Sequence, residues 1–125
     1  MKSALKVIVT MAVFVGALAI SPVATDDAKA DPWLASWYGP GFAGYPTASG
    51  EIFDPYALTA AHPTLPFGTE LQVCYSACTV VRVNDRGPYT GGRDIDLSQG
   101  AADTVGLTPV GVDYVDVEIL GYGYY

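Results

Sequence analysis

Four side chains in this 125-residue sequence have the types and settings from which acid–base chemistry is built: Glu51, His62, Asp85 and Asp96. Each falls in a segment that reads as a loop or a strand end. His62 is the only histidine, and Asp85 stands between Asn84 and Arg86 at the exit of an apolar, β-branched run, tied down by Gly87-Pro88. A carboxyl group at a strand end, shielded by neighbouring aromatic rings, is disfavoured in its charged form, so its pKa rises toward neutrality and it can act as a general acid. Glycosidic cleavage needs such a proton for the leaving oxygen. Trp37, Tyr38, Phe42, Tyr45 and Tyr89 offer apolar faces on which sugar rings stack, and Arg86 offers a cation beside Asp85.

Each of these residues also has a structural reading. Asp85 can cap its own turn, Glu51 can be an exposed acid, and His62 before Pro63 can be structural. Asp96 reads as an acceptor of backbone hydrogen bonds near a helix start, Trp37 as core, and Arg86 and Arg93 as partners for acids. From the residues alone the function stops at an exported β-domain with a candidate carbohydrate site.

The elements that must position these side chains are short. Residues 34–38 read as a first strand ending at Gly39-Pro40-Gly41, and residues 39–50 as an irregular, glycine- and proline-rich loop. Residues 51–56 read as short and extended, and 57–61 as a helical turn or a strand stopped by His62-Pro63. Residues 69–75 and 79–84 form a predicted hairpin, 94–97 a short alternating strand, and 114–120 a half-buried antiparallel strand. Ser98 is a candidate N-cap for one helix, 99–105, ended by Gly106. Six short strands and one helix in so small a chain fit a small closed barrel, which has no free edges.

Lys2 and Lys6 precede the apolar run 7–20, and Ala28-Lys29-Ala30 gives the small-x-small pattern of a cleavage point. The expectation is a signal peptide over residues 1–30 and one mature domain over 31–125, exported, monomeric and free of a membrane anchor. That domain keeps three arginines and no lysine against eleven acids, a net charge of −8. Such a balance excludes nucleic acid and anionic membrane as partners, because both need a basic patch. A domain of this size has no room for a deep cofactor fold and lacks the glycine-rich turn of a dinucleotide site, so no cofactor is expected. One His and two cysteines are too few for a structural zinc site, and Asp94 with Asp96 is too sparse for calcium; no metal is expected. Cys74 and Cys78, in an exported chain, read as a disulfide stapling the hairpin turn over Tyr75-Ser76-Ala77.

Three segments carry a resemblance. They are Ala35-Ser36-Trp37-Tyr38-Gly39; then Thr47-Ala48-Ser49-Gly50-Glu51 with Leu58-Thr59-Ala60-Ala61-His62-Pro63-Thr64-Leu65-Pro66-Phe67-Gly68; then Val83-Asn84-Asp85-Arg86-Gly87-Pro88-Tyr89 followed by Gly92-Arg93-Asp94-Ile95-Asp96-Leu97-Ser98. In order and spacing the chain from about Ala35 to Leu120 resembles the rare lipoprotein A family, whose fold is the six-stranded double-psi β-barrel. The resemblance implies a lytic transglycosylase acting on peptidoglycan glycan strands, preferring strands stripped of stem peptides. It puts the catalytic acid on Asp85, with Glu51 and His62 holding Asp85 and its proton, and it leaves Asp96 structural. Two features depart from the family: no lipid-anchoring cysteine follows the apolar run, and no C-terminal glycan-binding domain is seen. Secretion or loose wall association is therefore expected rather than placement at a septum. The same barrel is also similar to the catalytic-like domain of expansins, which loosen polysaccharides without cleaving them, and to small secreted protease inhibitors. An inhibitor should present a protruding loop near 39–50 or 75–77, and a binder should bury Asp85 in salt bridges with no cleft beside it.

Overall fold

The computed structural model describes residues 30–124. The predicted signal peptide lies, but for Ala30, outside the described residues, as does Tyr125. Among the described residues, no helix is long and apolar enough to cross a membrane.

Six strands close into one barrel. In chain order they are β1 (Asp31–Tyr38), β2 (Thr59–Ala61), β3 (Glu70–Cys74), β4 (Cys78–Asp85), β5 (Ile95–Ser98) and β6 (Asp113–Gly121). Around the barrel they run β1-β5-β2-β4-β3-β6 and back to β1. The β1/β5 and β2/β4 pairs are parallel, and the other four are antiparallel. The period-2 pattern read in the sequence puts Val115 and Val117 of β6 inward, with Tyr114 and Asp116 exposed. Leu71 and Val73 of β3, Val81 and Val83 of β4, and Ile95 and Leu97 of β5 meet them in the core.

The helix α1 (Gln99–Val105) has the predicted bounds. The Ser98 hydroxyl accepts the Ala101 N–H, and Gly106 closes the helix in the left-handed region at φ +90°. Ala101, Ala102 and Val105 pack the helix on the barrel. Gly100 lets it approach closely: a Cβ there would lie 2.5 Å from the Tyr56 carbonyl oxygen.

The disulfide Cys74–Cys78 is formed, and the two residues face each other at the closed end of the β3–β4 hairpin. Ser76 and Ala77 donate their N–H groups to the Val105 carbonyl, docking the stapled turn on the helix end. The 75–77 loop, one of the two places where an inhibitor would protrude, is thus held down.

Two expectations change. The ambiguous segment 57–61 becomes β2, whose three residues are all buried between β4 and β5. Residues 51–56 form no strand. Closure leaves every barrel edge occupied, so this segment joins no barrel strand. Its backbone meets its own loop through the bridge between Pro46 and Ile52 and bonds from Gly44 to Phe53 and Phe53 to Tyr45, and the Pro55 carbonyl accepts the Gly100 N–H of α1. The tail beyond β6 docks at Gly123, whose N–H donates to the Thr69 hydroxyl at 3.0 Å.

Candidate active site

Two neighbouring rows of residues cross four strands of the barrel. In the first, Trp37 of β1 faces Leu97 of β5, Leu97 faces Ala60 of β2, and Ala60 faces Val83 of β4. Leu97, Ala60 and Val83 are fully buried in the core, and Trp37 packs against it. Neighbouring positions on a strand point to opposite faces. The adjoining row, Ser36–Asp96–Ala61–Asp85, therefore turns away from that core.

Asp85 enters this second row through a slip in register. Ala60 pairs with Val83 but Ala61 pairs with Asp85, so Asn84 is one residue extra on β4. An unbroken ladder would have set Asn84 opposite Ala61. A bulge of this kind re-aims the side chain that follows it. Two strand spacings separate Asp96 from Asp85, about 9.5 Å at the backbone, with the small Ala61 side chain between them.

The hollow above this row is open and has a volume of about 210 Å³. Asp85, Asp96, Ala61 and Arg86 line it, with an aromatic wall of Tyr38, Phe42, Tyr45 and Phe53. Tyr38 stacks on Phe53 at 4.7 Å and meets Phe42 edge-on at 5.7 Å. Phe42 and Tyr45 are exposed, which leaves ring faces free for a ligand.

Each carboxyl is held by one oxygen. Asp85 Oδ1 accepts the backbone N–H groups of Ala48 and Arg86, both at 2.9 Å. The first of these bonds, with Ser49 N–H to the Asn84 carbonyl, seats the 39–50 loop on the end of β4. Asp96 Oδ1 accepts the Ser36 hydroxyl at 2.8 Å. Among the described residues, neither Oδ2 has a hydrogen-bond partner and neither carboxylate has an ion pair. Burial raises the Asp96 pKa above the usual carboxylate range; Asp85 adds to the shift, while Ser36 and Arg93 offset part of it.

The other expected catalytic residues stand around Asp85 without touching its carboxylate. Glu51 lies in a separate hollow with Arg82, Asn84 and Phe67. It accepts Arg82 at 2.6 and 3.2 Å and Asn84 Nδ2 at 2.7 Å, and these partners hold its pKa below the ordinary value. His62 gives its backbone N–H to the Asp85 carbonyl, but its ring turns toward Trp33, 5.1 Å away. His62 Nδ1 accepts the N–H groups of Thr64 and Leu65, which places the neutral ring's proton on Nε2. Burial, with Arg86 nearby, lowers the imidazole pKa against a smaller opposing effect of Asp94.

Of the expected sugar-stacking residues, Tyr38, Phe42 and Tyr45 reach the hollow and Trp37 and Tyr89 do not. Trp37 belongs to the core-facing row, so its structural reading prevails. Tyr89 is exposed on the next loop, beside Gly87. Arg86 reaches the hollow, yet it pairs with no acid among the described residues. Its guanidinium lies 3.9 Å from the Phe67 ring centroid and donates to the carbonyls of His62 and Asp85. Arg93 likewise bonds Thr90 rather than an acid. Asp96, read from the sequence as an acceptor of backbone groups near the helix start, takes the Ser36 hydroxyl instead, and Ser98 does the capping. The alternation of Ile95 and Leu97 did turn it away from the core, but its partners come from residues 36, 61 and 85.

Comparison with known proteins bears on this arrangement. Residues 33–118 match the family described as "Lytic transglycolase". The chain is 52% identical over 112 residues to the "Probable endolytic peptidoglycan transglycosylase RlpA" of Synechocystis sp., taking in 83% of this chain and 35% of that protein. It is 48% identical over 93 residues to the "Endolytic peptidoglycan transglycosylase RlpA" of Campylobacter jejuni, taking in 72% of this chain and 34% of that one. The chain thus spans about a third of the length of these relatives. Among solved structures, the Streptomyces papain inhibitor superposes with a TM-score of 0.60 at 22% identity, covering 74% of this chain and 94% of that one. The apo expansin of Clavibacter michiganensis superposes at 0.61 and 16% identity, covering 77% of this chain and 52% of that one. At these identities the two structures share the fold alone. The match across 33–118 and the closed six-stranded barrel identify this chain as a member of the RlpA-like double-psi β-barrel lytic transglycosylase family.

Proposed function

We propose that the domain, exported and carried on residues 31–125, cleaves the glycosidic bond between N-acetylmuramic acid and N-acetylglucosamine in peptidoglycan, leaving 1,6-anhydromuramic ends. The row Ser36–Asp96–Ala61–Asp85 carries this reading, because it sets two carboxyl groups side by side under an aromatic wall in an open hollow. Glycosidic cleavage is work for a pair of carboxyls in such a setting. Asp85 gives its proton to the leaving oxygen as the bond to C1 breaks. The muramic C6 hydroxyl then closes onto C1 and returns a proton to the carboxylate, so no water is consumed. Tyr38, Phe42 and Tyr45 seat the sugar rings, and Arg86 stands beside the donor. Glu51 and His62 act as positioning residues: Glu51 through Asn84 and the 44–53 loop, His62 through its backbone bond to Asp85.

The burial that raises Asp96 favours a second assignment, with Asp96 as donor and Asp85 as acceptor. Substitution of each carboxyl in turn, followed through the pH profile, separates the two. The absence of an ion pair on Asp85 and the hollow beside it support cleavage over an expansin-like binding role. The test is digestion of amidase-treated and intact peptidoglycan by residues 31–125, with products identified by mass spectrometry. Anhydromuramic ends, more abundant from the amidase-treated strands, are expected. Binding without products, where a positive control cleaves, would refute the enzymatic reading.

A further inference from the structure

The Tyr38 hydroxyl is buried and has no hydrogen-bond partner among the described residues. A buried polar group left unpaired is destabilising, so an orphan in a candidate site needs a reason. Tyr38 lies two positions along β1 from Ser36, on the same strand face, and Ser36 holds Asp96. Its ring is fixed between Phe53 and Phe42, so the phenol has little freedom to turn elsewhere. It lines the hollow that both carboxyls line. The inventory is therefore one spare O–H donor and two spare acceptors, the Oδ2 atoms of Asp85 and Asp96.

We infer that the Tyr38 hydroxyl is a shared donor to Asp85 and Asp96, bonding whichever carboxyl is ionised and so holding the pair with a single proton between them. This inference rests on the two-carboxyl reading above and adds a positioning residue to it. One O–H serves one carboxylate at a time, so the singly protonated pair is the best satisfied state. When Asp85 releases its proton, Tyr38 donates to the carboxylate that forms, in a hollow with Asp96 already present. Hydrogen bonds absent from a resting site commonly tighten during reaction. Burial, with both carboxylates adding to it, pushes the Tyr38 phenol well above the ordinary tyrosine range, so it keeps its proton throughout. The other charged or hydrogen-bonding groups bearing on the pair are Ser36 on β1, the Ala48 N–H in the 39–50 loop, Arg86 after β4 and Arg93 before β5; none is altered by substituting Tyr38.

The experiment is Tyr38→Phe, which keeps the ring and its stacking and removes only the hydroxyl. Carboxyl-carbon NMR titration of the full domain reads the pair directly, whether or not the protein cleaves glycan. Removing a donor to the ionised form raises a carboxyl pKa. The apparent titration of the Asp85–Asp96 pair should move to higher pH, while Glu51 stays unchanged. In glycan cleavage, kcat should fall about 100-fold with KM little changed, and the alkaline limb of the profile should shift upward. A titration of the pair unmoved by Tyr38→Phe would overturn the inference. A shifted titration in a protein that yields no anhydromuramic product would leave the donor role standing and sink the transglycosylase reading instead.

Discussion

Asp85 owes its place to one extra residue. Were Asn84 paired in an unbroken ladder instead of bulged, it would put an amide opposite Ala61, and the row would carry one carboxyl rather than two. On the proposed two-carboxyl reading, Asp96 is more than scaffolding. Asp96→Asn keeps an acceptor for Ser36 but loses the charge, and it should lower kcat about 100-fold in a protein that still folds; retention of most of the activity would return Asp96 to a structural role. His62 makes a prediction of a different kind. Its folded-state pKa lies below the ordinary 6.5, so the unfolded chain takes up the proton first as pH falls. The stabilising contribution is complete above about pH 6.5 and is lost as pH drops through the folded value. Urea midpoints between pH 7.5 and 5 should therefore fall less in His62→Gln than in the wild-type protein, and parallel curves would contradict this. At this scale the sequence exposed Asp85, Tyr38, Phe42, Tyr45 and Arg86. It could not show that Trp37 faces the core or that Asp96 shares a row with Asp85, since both follow from register between strands far apart in the chain.

The elements divide stability from chemistry. Helix α1 and the strand pattern of β3, β4 and β6 were legible because capping and period-2 alternation are local signals. β2 is ambiguous in the sequence, being three residues long, and the extended pattern of 51–56 does not reveal whether a free edge exists for it to pair with. The disulfide sits at the start of β4 and Asp85 at its end, about 23 Å along an extended strand. Closing so short a loop is worth about 2 kcal/mol. The double variant Cys74→Ser/Cys78→Ser should lose about that much in urea denaturation while keeping wild-type glycan cleavage. A loss of cleavage in folded protein would show that the hairpin reaches the site.

For the whole molecule, a closed barrel leaves no strand edge open to pair with another chain, and a net charge of −8 over residues 31–125 opposes self-association. Sedimentation of that segment should give a monomer, and a dimer at micromolar concentration would contradict the expectation. The hollow is shallow and open along the barrel surface, which suits a sugar strand lying across it better than a small ligand enclosed in it. The central claim concerns the acid, and the most direct measurement compares Asp85→Asn with the wild-type domain on amidase-treated peptidoglycan. Glycan binding should persist while anhydromuramic products fall at least 100-fold. Products formed by Asp85→Asn at the wild-type rate would contradict the account.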